Sequence, residues 1–89
     1  MAVYVDDADL PYRGMLMCHM MADTREELLA MVDKIGIQRK WIQKPNTHRE
    51  HFDICRTKRA QAVKSGAVEV QTEDIARKMM AKRDKQVDQ

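Results

Sequence analysis

The stretch Met15-Leu16-Met17-Cys18-His19-Met20-Met21-Ala22 is apolar throughout except for one histidine, and it closes on Asp23. It is far short of the roughly 18 apolar residues that a membrane helix needs. A continuous run of this length suits a β-strand buried on both faces. Period-two alternation then sets Met15, Met17, His19 and Met21 on one face and Leu16, Cys18, Met20 and Ala22 on the other. The whole chain has 89 residues, room for one domain and one modest core. Its stability margin is thin, and a homodimer interface would be an easy supplement.

The remaining elements follow from local signals. Ala2 to Asp6 reads as a short strand, and Asp7 to Gly14 as a loop holding Pro11 and Gly14. Thr24-Arg25-Glu26-Glu27 is a capping box. The helix after it carries Leu28, Met31, Val32 and Ile35 at helical spacing and stops at Gly36. Arg39 to Gln43 reads as a strand around Trp41 and Ile42, and 44–50 as a polar loop. Asp53 is placed to cap a second helix from Ile54 to Ser65, ended by Gly66. Ala67 to Val70 reads as a strand, and Thr72 as the cap of a third helix with Ile75, Met79 and Met80 on its apolar side. From Arg83 onward the polarity predicts fraying. The expected unit is therefore a single α/β domain over residues 1–82 with a frayed tail at 83–89.

The order β-loop-β-α-β-α-β-α implies βαβ crossovers and a mostly parallel sheet. The first connection is the exception. At about 8 residues it is shorter than a parallel crossover needs, so the first two strands form an antiparallel hairpin or are not neighbours.

Charge is unevenly spread. Residues 1–35 carry 3 basic and 7 acidic side chains, and residues 36–68 carry 8 and 2. The basic middle can meet phosphate or an acidic partner, or it can neutralise the acidic opening within the fold. The N-terminus lacks the basic flank and long apolar segment of a signal peptide, which predicts a cytoplasmic protein without a membrane anchor. The two cysteines, Cys18 and Cys55, are too few for a disulfide scaffold and read as reduced packing residues. Five of the eight methionines fall between positions 15 and 31, where adaptable core filling explains them. No phosphate-binding glycine loop, dinucleotide fingerprint or serine-hydrolase elbow is present.

Several polar residues can carry chemistry. Asp6 and Asp7 close the first strand; acids there can hold Mg²⁺ or fix a turn. His19, inside the apolar run, is either a general base or a hydrogen-bonded core histidine. Asp23 precedes the first helix, as support for its N-terminus or as a ligand-facing carboxylate. His48, His51 and Asp53 form an H-x-x-H-x-D cluster able to bind a divalent metal, although the spacing matches no zinc ribbon and Asp53 also suits a helix cap. Arg56, Lys58, Arg59 and Lys64 make the second helix basic, for phosphate or for solvent. Trp41 can stack on a base or fill the core.

Val3-Tyr4-Val5-Asp6-Asp7, Tyr12-Arg13-Gly14, Cys18-His19-Met20-Met21-Ala22-Asp23, Glu27-Leu28, Ile35-Gly36, Trp41-Ile42-Gln43, His51-Phe52-Asp53, Lys58-Arg59-Ala60 and Gly66-Ala67-Val68 stand in one order. As an ordered set spanning roughly residues 3 to 70, they resemble a small bacterial and bacteriophage family, domain of unknown function 4031. The resemblance implies one compact α/β unit and carries no activity. It marks Asp6, Arg13, His19, Asp23, His51, Asp53 and Arg59 as positions to watch. It also implies a histidine in the first helix where this chain has Leu29, which would alter any site that used it.

Two functional expectations follow. In one, the domain binds a phosphate-bearing, nucleotide-like ligand and performs metal-dependent hydrolysis. His19, Asp23, His51 and Asp53 are catalytic, Asp23, His51 and Asp53 hold a divalent metal, and Arg13, Arg56 and Arg59 bind phosphate. In the other, it is a non-catalytic, phage-encoded module that binds a host protein, with nucleic-acid binding as a third expectation. A hairpin would separate the polar residues into two clusters, Asp6, Asp7 and Arg13 at one end of the long strand and Asp23, His51 and Asp53 at the other.

Overall fold

The computed structural model describes residues 2–87. Among the described residues are five strands and three α-helices: β1 (Val3–Val5), β2 (Leu10–Tyr12), β3 (Met15–Ala22), α1 (Arg25–Lys34), β4 (Phe52–Cys55), α2 (Arg56–Lys64), β5 (Val68–Glu69) and α3 (Thr72–Val87). The apolar run is indeed one strand, β3, of 8 residues. Among the described residues, no helix is long and apolar enough to cross a membrane.

β3 is the axis of the sheet. β4 lies antiparallel on one edge, with His19 opposite Asp53 and Met20 opposite Phe52. Both β1 and β2 lie antiparallel on the other edge, Val5 opposite Met20 and Leu10 opposite Met17. They form one strand interrupted where Asp7, Ala8 and Asp9 bulge out opposite Cys18. β5 adds the single parallel pair, against β1. The sheet is thus mixed and mostly antiparallel, which corrects the mostly parallel arrangement expected from strand–helix alternation.

The correction has two physical causes. The short first connection does force an antiparallel pair. Farther on, Arg39–Trp41 forms a 3-10 turn and not a strand, and only Gln43 makes a bridge, to His51. The next strand is therefore Phe52–Cys55, brought back antiparallel by a long connection after α1. Asp53 consequently sits in a strand and caps nothing, and α2 begins at Arg56 with Cys55 as its cap. Alternating burial of Phe52 and Ile54 explains this: both point into the core, which outweighs the cap preference of Asp53.

α1 forms as its sequence dictates. Thr24 Oγ1 accepts from the Glu27 amide at 3.2 Å and donates to the Glu27 carboxylate at 2.8 Å. At the far end Gly36 adopts φ 78°, and the amide of Ile37 reaches the carbonyl of Val32 at 2.9 Å. These are the bonds of a glycine-terminated helix stop.

The two faces of the sheet are covered differently. Val3, Val5, Cys18, Met20, Ala22, Phe52 and Ile54 pack with α1 and α2 residues such as Leu28, Val32 and Ala62. On the opposite face Met21 packs with Ile75 and Met79 of α3, beside Tyr4. Each buried Val, Leu, Ile, Phe or Met among them stabilises by about 1.5–3 kcal/mol. α3 is helical as far as Val87; residues 88–89 of the expected tail lie outside the described residues. Trp41, one reading of which was core filling, is 60% exposed.

Candidate metal centre

α3 covers the part of its sheet face that holds Tyr4 and Met21. Farther along β3 on that same face stands His19, with Asp53 opposite it on β4. On the other side the β1–β3 ladder runs one residue past Val5, the amide of Asp6 donating to the carbonyl of His19 at 3.1 Å. Asp6, His19 and Asp53 therefore form one row across three strands, and period two aims all three side chains at the same face.

The ladder breaks at Asp6 in an informative way. The amide of His19 donates to Asp6 Oδ1 at 2.8 Å, so the carboxylate stands in for the backbone acceptor of the strand. The Asp6 carbonyl turns away and accepts from Arg59 Nε at 2.8 Å. The other carboxylate oxygen, Oδ2, lies 2.6 Å from His19 Nδ1. Asp6 is fully buried. Burial is the largest influence on its carboxyl and pushes it up, but the His19 amide, the His19 ring and the Ala8 amide together outweigh it and hold the group below its ordinary value. Asp6 is thus a carboxylate that only accepts, and His19 Nδ1 is the donor. In the neutral ring the lone pair is on Nε2.

His51 reaches the same result by another route. Its backbone pairs with Gln43 through two bonds, 2.8 and 3.1 Å, which close the loop between them. His51 Nδ1 lies 2.6 Å from the carbonyl of Arg49, which can only accept, so Nδ1 again carries the proton. His51 Nε2 stands 3.3 Å from Asp53 Oδ1. The two imidazoles meet edge to face with centroids 5.5 Å apart. One ligand atom each from His19, His51 and Asp53 falls within 4.8 Å of the others.

Two imidazole nitrogens and a carboxylate at this spacing are a ligand set for a divalent transition metal. Each histidine has its Nδ1 engaged by a carboxylate or carbonyl, the outer contact that fixes tautomer and ring angle in metal-ligating histidines. Side-chain exposures of 24% for His19, 15% for His51 and 39% for Asp53 leave the cluster half open to ligand. Beside it runs a groove of about 650 Å³, whose lining combines Arg13, Gln43, Asp53 and Lys58 with apolar residues that include Tyr12, Met15, Met17 and Trp41.

The other residues singled out in the sequence lie elsewhere. Asp23 accepts from the Ala2 amide at 2.8 Å and from the Tyr4 hydroxyl at 3.0 Å, tying β1 to the end of β3. It stands outside the cluster. Arg13 occupies the β2–β3 turn at φ 51° with its guanidinium 5.3 Å from the Tyr12 ring centroid, and lines the groove. Arg56 pairs with Asp9 at 2.8 Å. Arg59 bonds the Asp6 carbonyl and Glu69, the latter at 3.0 Å. Both arginines border a smaller cavity with Cys18, on the helix-covered face of β3, so the three arginines do not converge on the histidines. Arg56–Asp9 and Arg39–Asp33 join the basic middle to the acidic opening. His48 is not among the clustered ligands. Leu29 packs against the α1–α2 core, across the sheet from His19.

Asp6, open in the sequence between a Mg²⁺ ligand and a turn acid, supports the site through His19 and lies outside the set of candidate ligands. Its signal lay in register: a hairpin pairing Val5 with Met20 puts the next residue, Asp6, opposite His19. A family model described as "Protein of unknown function (DUF4031)" matches residues 3–82. No curated protein and no solved structure matches the chain.

Proposed function

We propose that this chain, which belongs to the DUF4031 family, binds a divalent transition metal through His19, His51 and Asp53 and uses it in hydrolysis of a phosphate-bearing compound. The observation that carries the reading is the engagement of both Nδ1 atoms, at 2.6 Å each, which leaves Nε2 of each ring to coordinate, in two histidines clustered with Asp53. Three protein ligands leave a coordination position for water or substrate, and a metal so held supplies Lewis acidity and a nucleophile at neutral pH. Phosphate would meet the metal itself, since Arg56 and Arg59 are engaged on the other face.

The protein's own groups have distinct parts in this scheme. Asp6 holds the His19 ring in one tautomer and balances the charge added at the site. The Gln43–His51 bridge and the Arg49 carbonyl hold the second ring. Isothermal titration of metal-free protein with Zn²⁺, Mn²⁺ and Fe²⁺, followed by turnover of p-nitrophenyl phosphate in the metal-loaded form, tests the reading. Saturation at one equivalent, with hydrolysis lost on chelation, is the expected result. Absence of saturable binding for all three ions removes the metal reading, and binding without turnover across a phosphoester panel removes the hydrolytic part.

A second reading, an interaction module for another protein, draws on the exposed Leu10, Tyr12, Met15, Leu16 and Trp41. Retention of a partner by immobilised protein, abolished by Trp41→Ala and untouched by metal removal, would favour it over the first.

A further inference from the structure

The groove beside Asp53 shares one residue with the metal cluster and borders a second through the backbone. Asp53 is itself a ligand, and Gln43 is bonded through its backbone to His51. Its volume of about 650 Å³ lies within the ordinary range for sites that seat small organic molecules. Apolar side chains stand in its walls beside Arg13, Gln43, Asp53 and Lys58, and Tyr12, Met15 and Trp41 are 53%, 43% and 60% exposed. Tyr12 and Trp41 each carry a cation over one ring face, Arg13 at 5.3 Å and Lys40 at 5.2 Å, and keep the other for a guest, to which methionines adapt their shape. Two cations line the groove, Arg13 in the turn at the Tyr12 end and Lys58, whose ammonium donates to the Ile35 carbonyl.

We infer that this groove seats the aromatic or otherwise flat apolar part of a small compound whose anionic oxygen-donor head, phosphate or carboxylate, reaches the metal at His19, His51 and Asp53. The inference rests on the metal reading for the head and on the groove alone for the body. A purely inorganic anion or a small polar phosphate would leave the exposed ring faces and methionines in water. A compound with an apolar body covers them and is held with its head beside Asp53.

Phenylphosphonate and methylphosphonate separate body from head, because they share one non-hydrolysable head and differ in the apolar part. Trp41 is the single tryptophan of the chain, so its emission reports from the groove wall. Each probe is titrated into Zn²⁺-loaded protein with emission and heat as readouts. Phenylphosphonate is expected to bind at least about tenfold tighter than methylphosphonate, the scale on which an apolar pocket discriminates, and to shift Trp41 emission. Met15→Glu, read by emission, and Trp41→Ala, read by heat, change exposed side chains and leave the metal ligands in place. Both are expected to bring the ratio to about one at unchanged zinc affinity.

Equal affinity for the two probes in the unsubstituted protein overturns the inference, as does a ratio that survives both substitutions. Emission that shifts with protein concentration alone, with doubled mass in the ultracentrifuge, also overturns it, because a second copy would then cover the groove. If zinc, manganese and iron(II) all fail to bind, the metal reading falls separately. The same ratio, measured in metal-free protein, then decides whether the groove selects an apolar body.

Discussion

Asp6 and His19 are joined at three points: backbone to backbone at 3.1 Å, His19 amide to Asp6 Oδ1 at 2.8 Å, and His19 Nδ1 to Asp6 Oδ2 at 2.6 Å. A buried carboxylate held this way does two jobs, finishing the β1–β3 ladder and orienting the imidazole. Asp6→Asn keeps an oxygen for the amide but presents an NH₂ group where His19 Nδ1 needs an acceptor. The expected result is a fall of about 10–100-fold in zinc affinity, read by competition with a chromophoric chelator. Unchanged affinity would show that the ring needs no such support.

The same carboxylate gives metal-free protein a pH signature. Its folded value lies below the ordinary 3.8, so its contribution to stability is complete above that value. It is lost as pH falls through the lower, folded value. Denaturant midpoints measured from pH 6 downward should decline at the acid end for the unsubstituted protein, and Asp6→Asn should lose this part of the decline. Superimposable slopes would contradict the assignment.

Arg59 is an anchor for the Asp6 carbonyl and for Glu69. Arg59→Ala should lower stability by about 1–3 kcal/mol, because it strands a carbonyl at a buried strand break. Chemical denaturation measures this. A variant of full stability that loses only phosphonate affinity would return Arg59 to the ligand-binding role that its place on a basic helix suggests.

Asp23→Asn should leave zinc affinity within about twofold, since additivity holds for groups well apart. β3 rises about 3.3 Å per residue, which sets Asp23 four residues from His19 along the strand. Its bonds to the Ala2 amide and the Tyr4 hydroxyl predict a loss of stability instead. A tenfold fall in zinc affinity at unchanged stability would put Asp23 among the ligands.

Cys18 and Cys55 should differ sharply as thiols. Cys18 is buried, and burial first, then the Asp6 charge, pushes its thiol up to about 11. Cys55 is half-buried at the start of α2. With a disulfide-exchange reagent at pH 8, native protein should release one equivalent of reporter quickly, and the second only on unfolding. Two equal fast phases would contradict the packing around Cys18.

Legibility in the sequence followed the strength of local signals. The β3 run, the Thr24 cap and Gly36 were readable because strand burial, capping chemistry and positive φ each leave residues of a definite type at a definite spacing. Strand direction was not, because it depended on 39–55: Trp41 and Ile42 have strand character, yet only Gln43 pairs. Asp53 has cap chemistry, yet its neighbours Phe52 and Ile54 are buried and carry it into a strand. The site showed the same division. His51 and Asp53 could be grouped by their spacing and His19 picked out by residue type, whereas the meeting of all three, and the place of Asp23 apart from them, required the register of three strands. Asp6 looked like a turn acid because the bulge that starts at the next residue is itself turn-like.

The most direct test is calorimetric titration of metal-free protein with Zn²⁺, alongside His19→Ala, His51→Ala, Asp53→Ala and His48→Ala. One equivalent should bind the unsubstituted protein and His48→Ala with equal affinity. Each of the other three substitutions should weaken binding by about a hundredfold or more, since a zinc site so stripped keeps only two protein ligands. Binding that is absent throughout, or that survives His19→Ala and His51→Ala unchanged, would contradict a metal centre at this row of the sheet.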